Sequence, residues 1–328
     1  MVEISPKELV KSLFQLKELP RTPFVPWVSS FAAQLEQVTV EEMLNDPGLL
    51  SSSLLDAQQL FGYDAVAMVF DPALEAEACG CELKWSDEKL PRVLSHPLED
   101  GVGQDIFDIQ DIGKRGRVPI VLEALKRTNI VRGKQIALFG VITGPLSLAK
   151  HLRGESLGDD LDHGSEEAAK IVAGAAGICL KLARKYCEAG VDAIVISDEM
   201  LGRVDANVYR ILAGPLKSIW NVAKFYGVRS LLLTTECGAE KVEPILDLQA
   251  EGAALGSRVD GRQAWEAALK RNCCYGTSVD PANLPAEGAL SSSRERGHFL
   301  TTDWEVPFET DVNAMHRLMA EINRSIAS

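Results

Sequence analysis

Apolar residues in this chain fall into short blocks bounded by turn residues, separated by longer stretches with helical spacing. The blocks predict strands at Thr22 to Val28, Ala65 to Phe70, Gln135 to Ile142, Ala193 to Ser197, Ser230 to Thr235, Gly252 to Leu255, Cys273 to Gly276 and His298 to Thr301. The stretches predict helices over Thr39 to Leu60, Pro119 to Thr128, Ser165 to Ala189, Ala206 to Tyr226, Ala239 to Ala250, Arg262 to Arg271 and Asp311 to Ile326. Ser5 to Leu16 forms an amphipathic helix ahead of the first strand and ends before Pro20. The stretch up to Ala189, rich in Ala, Leu and Lys, stops at Gly190, the residue type that closes helices in the left-handed conformation.

Gly190 opens GVDAIVIS, a glycine followed by a buried parallel strand. Strands alternating in this way with helices predict an α/β fold, a (β/α)8 TIM barrel occupying residues 1–328 as one domain, with an N-terminal helix. No GxGxxG or GxxxxGK[ST] follows any strand, so an open nucleotide-binding sheet fits less well. Leu83 to Val118 breaks the rhythm with Pro91 and Pro97, and is expected to be a long loop after the second strand that covers the barrel mouth.

Composition narrows the partners. The chain has 328 residues, 46% hydrophobic and 25% charged, which excludes a disordered or fibrous protein. With 34 basic and 47 acidic side chains its net charge is −13, which repels phosphate backbones and anionic lipids; no nucleic-acid or membrane partner is expected. The basic cluster Lys114 to Arg117 reads as solvated loop. No apolar run reaches the ~18 residues that span a bilayer, so a soluble cytoplasmic protein is expected. The cysteines number seven, an odd and scattered set that favours reduced thiols, and Cys79 and Cys81 read as packing residues.

A barrel carries its chemistry at the carboxyl ends of its strands, which singles out an acidic set of residues. Asp71, His151, Asp198 and Glu199 are the candidate catalytic residues; Trp27, Phe31, Ser147, Asp280 and Trp304 the candidate substrate contacts. Asp71 ends the apolar strand VAMVFD, where apolar walls suit a carboxylate to proton transfer or cation binding; a cap on the turn before Pro72 is the other reading. His151 follows GPLSLAK and could reach Asp71 across the mouth as an acid/base pair, or be a surface histidine at a helix start. Cys237 precedes Gly238 at a helix start, where backbone amides favour a thiolate, as nucleophile or metal ligand; Glu236, Asp303 and Glu305 are the carboxylates that could join it. A packed or capping cysteine is the alternative.

The stretches VFDPALEAEACGCEL (Val69 to Leu83), FGVITGPLSLAKHLRG (Phe139 to Gly154), AGVDAIVISDEMLG (Ala189 to Gly202), LTTECG (Leu233 to Gly238), GTSVDPANL (Gly276 to Leu284) and GHFLTTDWEVPFET (Gly297 to Thr310) carry a family resemblance. In content and order they resemble the uroporphyrinogen decarboxylase and corrinoid-dependent methyltransferase superfamily, over nearly the whole chain. The resemblance implies a (β/α)8 barrel. In the decarboxylases the aspartate matching Asp71 holds the substrate's pyrrole nitrogens, while His151 stands where they have a tyrosine and Val28 to Ala32 (VSSFA) where they have an arginine-rich stretch. The methyltransferase branch implies zinc held by a His-x-Cys pair after the fifth strand and a cysteine after the eighth, activating a thiol that accepts a methyl group from a methylcorrinoid protein. Cys237 matches one ligand, whereas Thr235 and Trp304 occupy the other two positions, so zinc here requires Glu236, Asp303 or Glu305.

The expectation is a methyltransferase-like enzyme moving a methyl group between a corrinoid protein or methylated small molecule and an acceptor. Its partners would be a small-molecule substrate, a corrinoid protein and a second copy in a homodimer. The alternatives are a decarboxylase or other lyase acting on a small or porphyrin-like substrate, and a ligand-binding barrel without catalysis.

Overall fold

The computed structural model describes residues 4–99, 103–283 and 295–324. Its strands are β1 (Phe24–Val28), β2 (Ala65–Met68), β3 (Leu83–Lys84), β4 (Arg92–Val93), β5 (Ala137–Thr143), β6 (Ala193–Ser197), β7 (Arg229–Leu233), β8 (Gly252–Ala254), β9 (Cys274–Ser278) and β10 (His298–Val306). Eight of them form one parallel sheet in the order β1-β10-β9-β8-β7-β6-β5-β2, and β3 and β4 pair antiparallel as a small hairpin. Asp64 bridges the remaining gap. Its backbone N–H donates to Phe24 O at 2.9 Å and its side chain accepts from Phe24 N at 2.8 Å, so the ends of the sheet meet and the barrel is nearly closed. The predicted TIM barrel is therefore the fold.

Alternation along the strands divides the core into two shells. Val25, Trp27, Ala67, Phe139, Val141, Val195, Leu233 and Phe299 fill the barrel's interior, and Leu9, Val10, Leu13 and Phe14 of the N-terminal helix Pro6–Phe14 join the same cluster, with Phe14 6.3 Å from Phe139. That helix therefore stoppers one end of the barrel; Lys7 pins it there with an ion pair to Asp192 at 2.8 Å. The outward faces pack against the surrounding helices. The longest, Glu166–Ala189, is capped by Ser165 at its start and ends at Gly190 with φ 90°, the left-handed stop that the sequence predicts.

Several elements depart from the sequence-based expectation. The helix predicted over Thr39 to Leu60 is two, Val40–Asn45 and Pro47–Phe61, because Pro47 excludes the residue before it from helical conformation and Asp46 caps the second helix. His151, expected at a helix start after GPLSLAK, lies instead in the last turn of the helix Pro145–Arg153, which that segment begins. β10 runs on to Val306, so Asp303, Trp304 and Glu305 lie on the strand and not beyond it. The pairing slips opposite Pro26, which has no N–H to pair: between Val25–Thr301 and Trp27–Glu305 β1 advances two residues and β10 four, so the extra residues bulge on β10 before pairing resumes. Among the described residues no helix is long and apolar enough to cross a membrane.

Candidate active site

At the carboxyl ends of the strands lies a cavity of about 580 Å³. Its floor and walls come from Phe70 to Ala73 just after β2, from β5, β6 and β10, and from the helix that follows β5; the loop after β2 closes over it with Leu90 to Val93 and His96. The loop that the sequence assigned to the mouth does cover it.

Asp71 lines this cavity and both its carboxylate oxygens are engaged. Oδ1 accepts from Ala73 N at 2.9 Å, the turn cap; Oδ2 accepts from Arg117 Nη1 at 2.6 Å. Arg117 is 3% exposed, pairs also with Glu77 at 2.8 Å, and lies over the Trp85 ring at 4.7 Å. Sequence reasoning placed Arg117 in solvent and missed it. Asp71 is thus a fixed, compensated anion. His151 also lines the cavity but forms no hydrogen bond with Asp71, and its Nδ1 is buried without a partner. Burial, followed by the positive neighbours Lys150 and His96, pushes the imidazole down to about 4, so it is neutral at physiological pH. Behind the wall Glu75 is fully buried; one oxygen accepts from Thr143 N at 3.0 Å, the other has no partner, and burial pushes the carboxyl up to about 8.

Asp198 does not line the cavity. It is buried beneath the helix Pro145–Arg153 and accepts from Leu146 N at 2.9 Å, Ser147 N at 3.1 Å, Ser147 Oγ at 2.7 Å and Met200 N at 3.1 Å. It fastens that helix's first turn to the end of β6, and burial raises its carboxyl to about 6 against those hydrogen bonds. Gly144 makes room for it: a Cβ there would stand 2.3 Å from the carboxylate. Ser147 faces the cavity with its hydroxyl committed to Asp198. Ser197, also in the wall, has a buried Oγ without a partner.

On the opposite wall, Trp304 meets Phe70 edge to face at 4.6 Å, and Phe70 leans on Trp27 at 6.2 Å. Trp27 itself is fully buried in the barrel interior, outside the cavity lining, and supports it through Phe70. Phe31 is likewise buried away from the cavity, stacked on Phe61 at 5.7 Å. Asp280 lies outside too, capping the turn to Ala282 and Asn283. Glu199 and Glu305 do line the cavity. Glu305 accepts from Ser30 N at 3.1 Å, and burial pushes it up to about 7.

The four candidate metal ligands do not converge. Cys237 is fully buried, its Sγ donates to Gly238 O at 3.3 Å, and burial raises the thiol to about 11, the reverse of the thiolate its helix-start position suggested. Glu236 turns outward to Arg203 and Arg258. Asp303 is taken up by Ser257 N and Oγ at 2.8 and 2.7 Å and by Ser278 Oγ at 3.1 Å. Among the described residues no group of three His, Cys, Asp or Glu side chains could hold a metal, so the donors present do not fit the zinc that the family resemblance implies.

The barrel, its mouth cavity and the aspartate after β2 define the class, and the uroporphyrinogen decarboxylase (URO-D) family profile matches residues 5–324: the chain belongs to that family. Within it, the chain is 27% identical over 209 residues to the methylcobamide:CoM methyltransferase MtbA of Methanosarcina acetivorans, covering 60% of this chain and 59% of that one. It is 28% identical over 165 residues to the methylcobamide:CoM methyltransferase MtaA of Methanosarcina barkeri, covering 48% and 47%. The matches thus span less than two thirds of these curated relatives. A solved methyltransferase structure from Methanosarcina mazei superposes with a TM-score of 0.85 over 98% of this chain and 99% of that one at 19% identity, a likeness of fold.

Proposed function

We propose that this chain is a methyltransferase that binds a small methylated or methyl-accepting molecule in the mouth cavity and exchanges the methyl group with a corrinoid presented by a partner protein. Membership in a family that also contains decarboxylases leaves both chemistries available; the similarity to methylcobamide-dependent methyltransferases favours methyl transfer. The observation that carries the reading is the cavity's shortage of cations. Its basic lining residues are Lys89 and Arg92, exposed in the loop, and Lys150, already paired with Glu155 at 3.0 Å. A substrate with many carboxylates would lose its hydration there and gain little in return.

In this reading Asp71, held by Arg117, orients the bound molecule, neutral His151 offers it a hydrogen bond, and the Phe70–Trp304 wall excludes water from the methyl carbon. No step is assigned to a protein-bound metal. The test uses the purified chain with methylcobalamin as a surrogate for the corrinoid protein, and the absorbance of the demethylated corrinoid is followed across a panel of thiols and amines; the reverse direction uses reduced cobalamin and methylated donors. Turnover in either direction that falls at least tenfold in Asp71→Asn is the expected result. Carbon dioxide release from uroporphyrinogen, with no corrinoid reaction, would overturn it.

A further inference from the structure

We infer that the cavity takes a small methylated onium cation, a quaternary ammonium or a sulfonium, as methyl donor, held between Trp304 and the carboxylates Glu199 and Glu305. This rests on the methyl-transfer reading above and names the substrate class of the same site. Glu199 and Glu305 are half-buried in the lining and neither forms an ion pair among the described residues. Asp71 already has its counter-ion, so these two are the inner-wall carboxylates left for a ligand to balance; a bound cation would hold Glu305 ionised against the burial that raises it, while Glu88 and Glu309 lie exposed at the rim. Trp304 stands next to Glu305 on β10 and gives that wall an aromatic surface, the other ingredient of onium recognition.

A separate observation places the ligand's other end. Ser197 Oγ and His151 Nδ1 are buried polar atoms without partners in the wall built by β6 and the helix after β5. Unmatched buried polar atoms are unfavourable unless something bonds to them. A hydroxyl or other neutral polar group, a short chain away from the onium centre, would give such an atom its partner. An anionic thiol acceptor, by contrast, would bring its charge toward Glu199 and Glu305.

The chemistry balances without a proton or an added oxidant. The cob(I) corrinoid of the partner supplies an electron pair to the methyl carbon, a C–Co bond forms, and the C–N or C–S bond breaks with its pair left on nitrogen or sulfur. The onium becomes a neutral amine or thioether and the corrinoid becomes methylcob(III). The product no longer carries the charge that the carboxylates attract, which favours its release.

The experiment is calorimetric binding to the full chain of tetramethylammonium, trimethylsulfonium, (2-hydroxyethyl)trimethylammonium and 2-mercaptoethanesulfonate. The onium ions are expected to bind and the sulfonate to fail. Glu199→Gln, Glu305→Gln and Trp304→Leu should each weaken onium binding about three- to tenfold, with far-ultraviolet circular dichroism unchanged. Ser197→Ala should weaken the hydroxylated ion and spare tetramethylammonium. Tighter binding of the sulfonate than of every onium ion, or onium affinities unmoved in both glutamine variants, would overturn the inference. Methylation of reduced cobalamin by a bound onium, tested separately with each probe, distinguishes an ammonium from a sulfonium donor. Onium binding with no such methylation, and no turnover with any other donor or acceptor, would instead overturn the methyl-transfer reading and leave the cation site standing.

Discussion

The two sides of the barrel mouth treat their ionisable groups in opposite ways. On the side of β2, β5 and β6, ionisable groups are buried and coupled to other elements: Asp71 to Arg117, Glu75 to Thr143, Asp198 to the helix after β5. Around the ends of β7 to β9, where a family metal site is expected, the charged groups are bonded in more exposed surroundings. Cys237 bonds to the next residue's carbonyl, Asp303 to two nearby serines, Glu236 to surface arginines. Low dielectric makes the first arrangement stiff and intolerant of change, whereas the second behaves like ordinary loop chemistry. The cavity follows the first side and is completed by the aromatic wall of Trp304 and Phe70.

The sharpest way to break this contrast is to remove Arg117. Arg117→Met leaves Asp71 and Glu77 with an unpaired charge in the interior, and the expected cost is about 3–5 kcal/mol in urea denaturation. Asp71→Asn in the same chain removes much of the stranded charge and should recover a large part of that loss. A single Arg117→Met variant as stable as the parent would mean the pair is solvated and the β2 side is not specially coupled.

The same contrast explains what could be read from the sequence. Asp71 was legible because it is local: a carboxylate at the end of an apolar strand in a barrel must face the mouth. Arg117 was not, because its partner lies 46 residues away and its neighbours Lys114 and Arg115 suggest a solvated loop. The eight barrel strands were legible from their apolar blocks, although the length of β10 depended on its pairing resuming past a bulge opposite Pro26 of β1, which no pattern within β10 reveals. Trp27 and Phe31 stand at a strand end and just after it, yet point into the two hydrophobic shells, Trp27 through strand alternation and Phe31 through its place on the helix Ser30–Glu36. Which of two acidic residues after β6 faces the cavity was likewise settled by packing, with Asp198 turned under the helix and Glu199 into the open.

Glu75 offers a sharper, pH-resolved version of the comparison. Its folded value of about 8 lies above that of an unfolded glutamate, so the folded state holds the proton more tightly. The sign follows: its contribution is most favourable below the unfolded pKa, near pH 4.5, and is lost as pH rises toward and through 8. Glu75→Gln keeps an acceptor for Thr143 N but cannot ionise. It should match the parent near pH 4.5 and exceed it at pH 9 by several kcal/mol, up to about 5, measured as the difference between two urea titrations. A stability gap independent of pH would place Glu75 in contact with water and weaken the case for a dry β2 side.

The smallest effect is expected on the other side, at the one cysteine that matches the family's metal ligands. With its thiol at about 11, Cys237 is protonated at pH 8 in all but about one molecule in a thousand, so it should react slowly with thiol reagents in the native chain. Cys237→Ala removes one buried sulfur and its contact with Gly238 O, a loss of about 1 kcal/mol by the usual measure of small core deletions. Metal content of the purified protein, measured by mass spectrometry, should be the same in parent and variant, and corrinoid demethylation should fall less than threefold. A stoichiometric metal present in the parent and gone in Cys237→Ala would reverse the comparison: the more exposed side would then rearrange to hold an ion, and the reacting centre would move across the mouth from the β2 side toward β7.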